Sequence, residues 1–189
     1  HHEKLKDGSV LNHQYDYIAT LGSITLKDEE DRKDELKEVS EVTHGLYRQL
    51  LGPVAWTMLT RTDLAIYVQA LQRRCAKPRV DDVRRLNLVV RYLKRHLIGI
   101  RYPPVPQPWR LAGISDSSFR CQEDEGAGLA LRGLTVLLTT DLLEKPTSPD
   151  GTVNLLDFLV RRLRRVVRST FSAELNALLD AIETLILTQ

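Results

Sequence analysis

From residue 80 to 98 the apolar positions recur at helical spacing: Val83, Leu86, Val89 or Val90, Leu93 and Leu97. That pattern predicts a helix over 80–98. Asp81 and Asp82 lie at its positive end, Lys94, Arg95 and His96 at its negative end, and Gly99 is its stop. A second helical stripe starts near Thr170, where Phe171, Leu175, Leu178, Ile182 and Leu185 repeat and Leu179 and Ile186 widen the band. Two further stretches read as helix. "YRQLLGPVAWTMLT" carries Pro53 near a helix start or kink, and "RTDLAIYVQALQRRCAKP" has Thr62 or Asp63 as N-cap and ends before Pro78. Strand signals follow residue 108. "WRLAGISDSSF" predicts a strand ending near Asp116, "GAGLALRG" and "LTVLLTT" two more, and "TVNLLDFLV" a fourth, with turns at 123–126, Gly133 and 146–151. Near the start, Gly8 marks a turn, and Tyr15, Ile18 and Leu21 sit at helical spacing.

The expected class is therefore α+β, a helical segment followed by a sheet with one packed helix. The run "PPVPQP" at 103–108 is a stiff, extended linker, because each proline fixes φ and removes a donor. It separates a helical part, 47–102, from a strand-rich part, 109–189. Residues 27–41, "KDEEDRKDELKEVSE", read as a solvated linker or an exposed helix.

Charge is unevenly spread along the 189 residues. The balance is −5 over residues 1–46, +9 over 47–102 and −2 over the remainder. A basic middle segment permits phosphate contact without requiring it. Arg84, Arg85, Arg91 and Lys94 supply one basic cluster; Arg161, Arg162, Arg164, Arg165 and Arg168 supply a second. Both have a plain alternative as solvated or carboxylate-paired guanidiniums. Cys75 and Cys121 form no C-x-x-C pair, so neither a disulfide scaffold nor structural zinc is expected. No apolar run approaches the roughly 20 residues that span a bilayer, and the expectation is an intracellular chain of unassigned compartment. Glycine-rich phosphate loops, a G-x-S-x-G elbow and His/Cys clusters at zinc spacing are all missing.

Two segments together resemble the polyprotein of copia-type retrotransposons. Tyr47, Arg48 and Gly52, then Thr60–Leu64 (T-R-T-D-L) and Arg91–Lys94 (R-Y-L-K), resemble the helical region after that family's polymerase palm. The stretch from "AGISDSSF" through the arginine tract to "RSTFSAELNAL" resembles the start of its ribonuclease H domain. The resemblance implies a palm-end remnant and charged linker at 1–46, a thumb- or connection-like region at 47–102, and a truncated ribonuclease H-like domain at 109–189. It assigns Asp116 and Glu174 as the first two metal-binding carboxylates. The polymerase Y-x-D-D signature is not in the sequence.

Ribonuclease H-type hydrolysis clamps two divalent ions about 3.5–4 Å apart, which takes about four negative ligands to hold. In the family the remaining acids lie further along the chain than Gln189, so the expected site is incomplete. Asp180 points about 120° from Glu174 on a helix, Glu183 faces the opposite side, Asp157 has no assigned facing, and Asp141 falls at a strand end. The expected function is a non-catalytic structural or interaction subunit with no cofactor. Either a protein partner, the favoured reading, or residues 1–102 folding over it is expected to cover Leu178, Leu179, Ile182, Leu185 and Ile186. Two alternatives stand beside it: a magnesium-dependent ribonuclease H acting on RNA–DNA hybrids, and a nucleic-acid-binding module without catalysis.

Overall fold

Helical spacing in the first hundred residues and strand spacing afterwards yield an α+β chain. The computed structural model describes residues 1–27, 34–118, 130–140, 152–163, 167 and 169–188. In chain order these form β1 (His2–Lys4), β2 (Val10–Asn12), α1 (Tyr15–Thr20), α2 (Glu41–Thr57), a 3-10 turn (Thr62–Leu64), α3 (Ala65–Arg73), α4 (Val80–Arg95), β3 (Ile100–Tyr102), β4 (Arg110–Ser118), β5 (Leu131–Thr139), β6 (Val153–Arg162) and α5 (Thr170–Thr188). Two three-stranded sheets result, in the orders β1-β2-β3 and β4-β5-β6. By its internal contacts the chain divides into a first unit, His1–Glu3 with Leu11–Ile100, and a second, Lys4–Val10 with Arg101–Gln189.

The core of the first unit gathers Ile18, Tyr47, Leu51, Val54, Val68, Val83, Leu86, Val90 and Leu93 from α1 to α4. The apolar stripe of α4 faces this core as its periodicity predicts, except at Leu97, which lies beyond the helix and is exposed. The helix stops at Arg95, though, and not at 98. His96 leaves helical geometry, and its backbone N–H closes the last turn on the Tyr92 carbonyl. Gly99 is needed for a different reason than a helix stop: a Cβ there would lie 2.7 Å from the Asn12 carbonyl oxygen. At the other end the backbone N–H of Arg79 donates to Asp82 at 2.8 Å, which anchors the first turn.

Further sequence expectations are narrowed or changed. The described part of the acidic run, residues 34–40, is not helix; it is exposed at every position but Val39. It lies along the start of α4, where Val39 N–H donates to Pro78 O, Val80 N–H to Lys37 O and Asp81 N–H to Glu35 O. Helix α2 begins at Glu41, with the Ser40 hydroxyl accepting from Thr43 N–H, so Pro53 is interior to it. Neither Thr62 nor Asp63 caps α3, which is preceded by the 3-10 turn and has no side-chain cap. The carboxylate of Asp63 is held by Arg61 instead.

In the second unit β4 pairs antiparallel with β5 over nine residues without irregularity, and β5 pairs with β6 across a register shift at Val136/Leu137. The sequence expectation of four strands becomes three, because Gly133 is no turn. It lies inside β5 opposite Asp116, and the two predicted segments around it form one strand. Residues 126–129 of the first of those segments are outside the described set. Strand β4 also continues to Ser118, beyond the predicted end at Asp116.

Helix α5 spans the predicted residues but turns a different face inward. Ala173, Ala177 and Ala181, at i, i+4 and i+8, are its buried residues. Ala173 joins Ala130, Leu163 and Val167, and Ala181 joins Leu134 and Val136. Small side chains on this face let the helix lie against the strands, and Leu185 packs where Gly113 has no side chain: a Cβ there would meet Leu185 Cδ1 at 2.9 Å.

Candidate functional site

Gly113 reveals which face of the sheet α5 covers. Cross-strand partners share a face, and successive residues of a strand alternate. Gly113 touches Leu185 and pairs with Val136; Ser115 pairs with Leu134 and Ser117 with Arg132. Leu134 and Val136 pack with Ala181, with Leu159 and Leu185 beside them, and Arg132 is ion-paired with Asp180. All of these belong to the helix side. Asp116 has the opposite parity, so it projects from the helix-free face, where it is exposed. Glu174 rides on α5 beside Ala173 and is half-buried on the other side of the sheet.

The two carboxylates assigned by resemblance are therefore not brought together. A single magnesium holds oxygens at about 2.0–2.1 Å, and a two-ion cluster spans only about 4 Å, while the backbone layer of the sheet separates Asp116 from Glu174. Asp180 is engaged with Arg132. Asp157 is exposed and accepts from the Phe158 N–H at 2.8 Å. Asp141 lies outside the described residues. Among the described residues no group of three or more His, Cys, Asp or Glu is placed to hold a metal ion.

The outward face of α5 is apolar. Phe171, Leu175, Leu178, Leu179, Ile182 and Ile186 are all exposed in the folded chain. Of the five residues expected to form an interface, Leu185 alone is turned to the sheet; the other four stand clear. Fully burying such a side chain is worth about 1.5–3 kcal/mol, so covering four that are already about half buried is worth roughly 1 kcal/mol apiece.

The basic residues divide by their surroundings. Arg84 pairs with Glu35 at 2.6 Å and Arg85 with Asp81 at 2.7 Å, so half of the first cluster is already engaged by carboxylates. Arg91 and Lys94 are exposed, with no ion-pair partner among the described residues. Arg161 is exposed at the end of β6 and Arg162 is half-buried with a partner. Arg164, Arg165 and Arg168 are outside the described residues. Among the described residues no helix is long and apolar enough to cross a membrane.

Sequence reasoning missed the most constrained charge of the first unit. Arg61 is 1% exposed, and its guanidinium binds Asp63 twice, Nε to Oδ1 at 2.9 Å and Nη2 to Oδ2 at 2.8 Å. Its Nη1 donates to the His96 carbonyl at 2.7 Å, where α4 has run out of intrahelical donors, and its Cζ lies 5.3 Å from the Tyr92 ring centre. Thr60 donates to the Thr57 carbonyl at 3.4 Å, within the same turn. The T-R-T-D-L tract is thus a staple tying the α2–α3 connection to the end of α4. Nearby in sequence, Tyr47 is fully buried and donates to the Leu71 carbonyl at 2.9 Å. Burial raises its pKa well above the phenolic value, with Asp82 and Cys75 adding to the shift. Both tracts carried the family resemblance, yet each is occupied with holding helices together. In the second unit Ser9, through its N–H and hydroxyl, and then Arg101 hold the Asp7 carboxyl below the usual range.

Comparison with known proteins finds no family model, no curated protein and no solved structure that matches the chain.

Proposed function

We propose that the chain is a non-catalytic, retroelement-derived structural or interaction module that docks through the outer face of α5 and the neighbouring edge of its sheet. The observation that carries the reading is the placement of Asp116 and Glu174 on opposite sides of the β4-β5-β6 layer. A hydrolytic site needs those carboxylates at one point, while docking needs an uncovered apolar face, such as the stripe from Phe171 to Ile186. The test is a cleavage assay on an RNA–DNA hybrid with magnesium and then manganese. No cleavage is expected with either ion. Cleavage abolished by Asp116→Asn and by Glu174→Gln would overturn the reading in favour of a ribonuclease H.

A second reading, nucleic-acid binding without catalysis, draws on exposed Arg91 and Lys94 on α4. Its signature is a binding constant that falls steeply with salt, by about 0.9 log units per log unit for each phosphate contact on duplex DNA.

A further inference from the structure

Helix α5 carries an apolar band that its sheet does not use. Leu175, Leu179, Ile182 and Ile186 are separated by four, three and four residues, the spacing of a coiled-coil seam. At about 100° per residue these four fall within about 60° of the helix circumference. Ala177, buried against the sheet, lies on the opposite side. Phe171 and Leu178 widen the band along one flank, and exposed Glu183 bounds it along the other. No charged position falls inside it. The other acids of the helix point elsewhere, since Asp180 pairs with Arg132 and Glu174 is half-buried.

Resting on the docking reading above, we propose that the occupant of this band is α5 of a second copy of the chain, packed antiparallel about a two-fold axis midway between Leu179 and Ile182. An isologous contact needs a patch that is complementary to itself. A four-three-four spacing reads the same in either direction. Reversing it sets Leu175 against Ile186 of the second copy and Leu179 against its Ile182. Each layer then joins a leucine to an isoleucine, and none opposes two charges. Glu183 falls beside Asn176 of the second copy, an amide and not a second carboxylate. The helix ends favour the same direction. The first turn of α5 has no acid and the last turn no base, so its own side chains leave the macrodipole uncompensated. An antiparallel neighbour sets each positive end beside a negative one. The area is sufficient as well. Phe171 is 75% exposed and the other five are between 44% and 63% exposed, which leaves on the order of 500 Å² of apolar surface per copy. Two copies would bury about 1,000 Å², the lower bound of a specific interface.

Sedimentation equilibrium of the whole chain across the micromolar range tests the pairing. A reversible monomer–dimer equilibrium is expected. Leu179→Lys and Ile182→Glu each set a charge against an apolar side chain at the axis, twice per dimer, and should weaken it about tenfold or more. Both positions are exposed, so circular dichroism should show the same fold in each variant. Mixing the two variants then reads the direction of packing. Antiparallel helices bring the introduced lysine of one chain beside the introduced glutamate of the other and restore one Leu179–Ile182 layer. The mixture should therefore associate more tightly than either variant alone. Parallel helices would gain nothing from mixing, because each position then meets its own counterpart. A chain that stays monomeric, a dimer indifferent to both substitutions, or a mixture no tighter than its components would each overturn the proposal. Those failures leave the non-catalytic reading standing, whereas metal-dependent cleavage of a hybrid would remove that reading whatever the association state.

Discussion

Replacing Arg61 with alanine tests whether the buried guanidinium, and not the exposed basic surface, supports the first unit. Arg61→Ala removes two bonds to Asp63 and the cap on the His96 carbonyl. Breaking a buried charged pair costs about 3–5 kcal/mol. Here the partner Asp63 is 44% exposed and rehydrates once released, which moves the expectation to the lower bound. We therefore expect a loss of about 3 kcal/mol, roughly a hundredfold in the folding constant. Arg84→Ala is the control. Its bond to Glu35 is shorter, at 2.6 Å, but its side chain is 36% exposed and that of Glu35 63%, so solvent screening limits the cost to below about 1 kcal/mol. Arg61→Lys keeps the charge and loses the planar fork, and it should fall between the two. Urea unfolding in a Trp109→Phe background makes Trp56 emission report on the first unit alone, and the slope of free energy against urea should match across variants. If Arg61→Ala costs no more than Arg84→Ala, burial does not decide the strength of this ion pair and the staple argument fails.

Tyr47→Phe should cost about 1 kcal/mol at neutral pH through loss of the bond to the Leu71 carbonyl, measured by the same urea titration. The raised Tyr47 pKa also means that the folded chain keeps its proton longer than the unfolded chain. Stability is then fully present below pH 10.0 and falls as pH rises beyond it, and the phenylalanine variant should show a shallower alkaline decline. Gly113→Val should lower the melting temperature of the second unit by overpacking against Leu185 Cδ1, at a cost of about 1–3 kcal/mol, and Leu185→Ala should return part of the loss. An equal loss with Leu185 intact or truncated would mean that the helix does not approach the strand there. Under the nucleic-acid reading, Arg91→Ala and Lys94→Ala should each reduce the salt slope of duplex binding by about 0.9, while Arg85→Ala, held by Asp81, should change it less.

Much of the element layout was legible because helical and strand periods differ. The α4 stripe of Val83, Leu86, Val90 and Leu93 is buried as its spacing predicts, and α5 starts at Thr170 as predicted. Boundaries were less legible where a tertiary contact sets them. Helix α4 ends where Arg61 takes the His96 carbonyl, and Gly133 passes through the middle of a strand because β4 and β6 flank it on both sides. The candidate site was legible as a set of residue types and illegible as a place. Asp116 and Glu174 could be named from the order of motifs, but no spacing along a chain reports the parity of a strand relative to a helix that packs on it.

Residue pattern alone determined that this chain is α+β, that the stretch from 47 to 98 is largely helical, and that its last helix carries a broad apolar stripe. It could not say which side of that helix goes inward. The leucine and isoleucine stripe of α5 is the more hydrophobic, yet the alanines at 173, 177 and 181 are the ones buried, and Leu185 is turned inward where Gly113, having no Cβ, leaves room for it. The other large side chains of the stripe stay outward. Strand alternation then puts Asp116 on the far side of the sheet from Glu174.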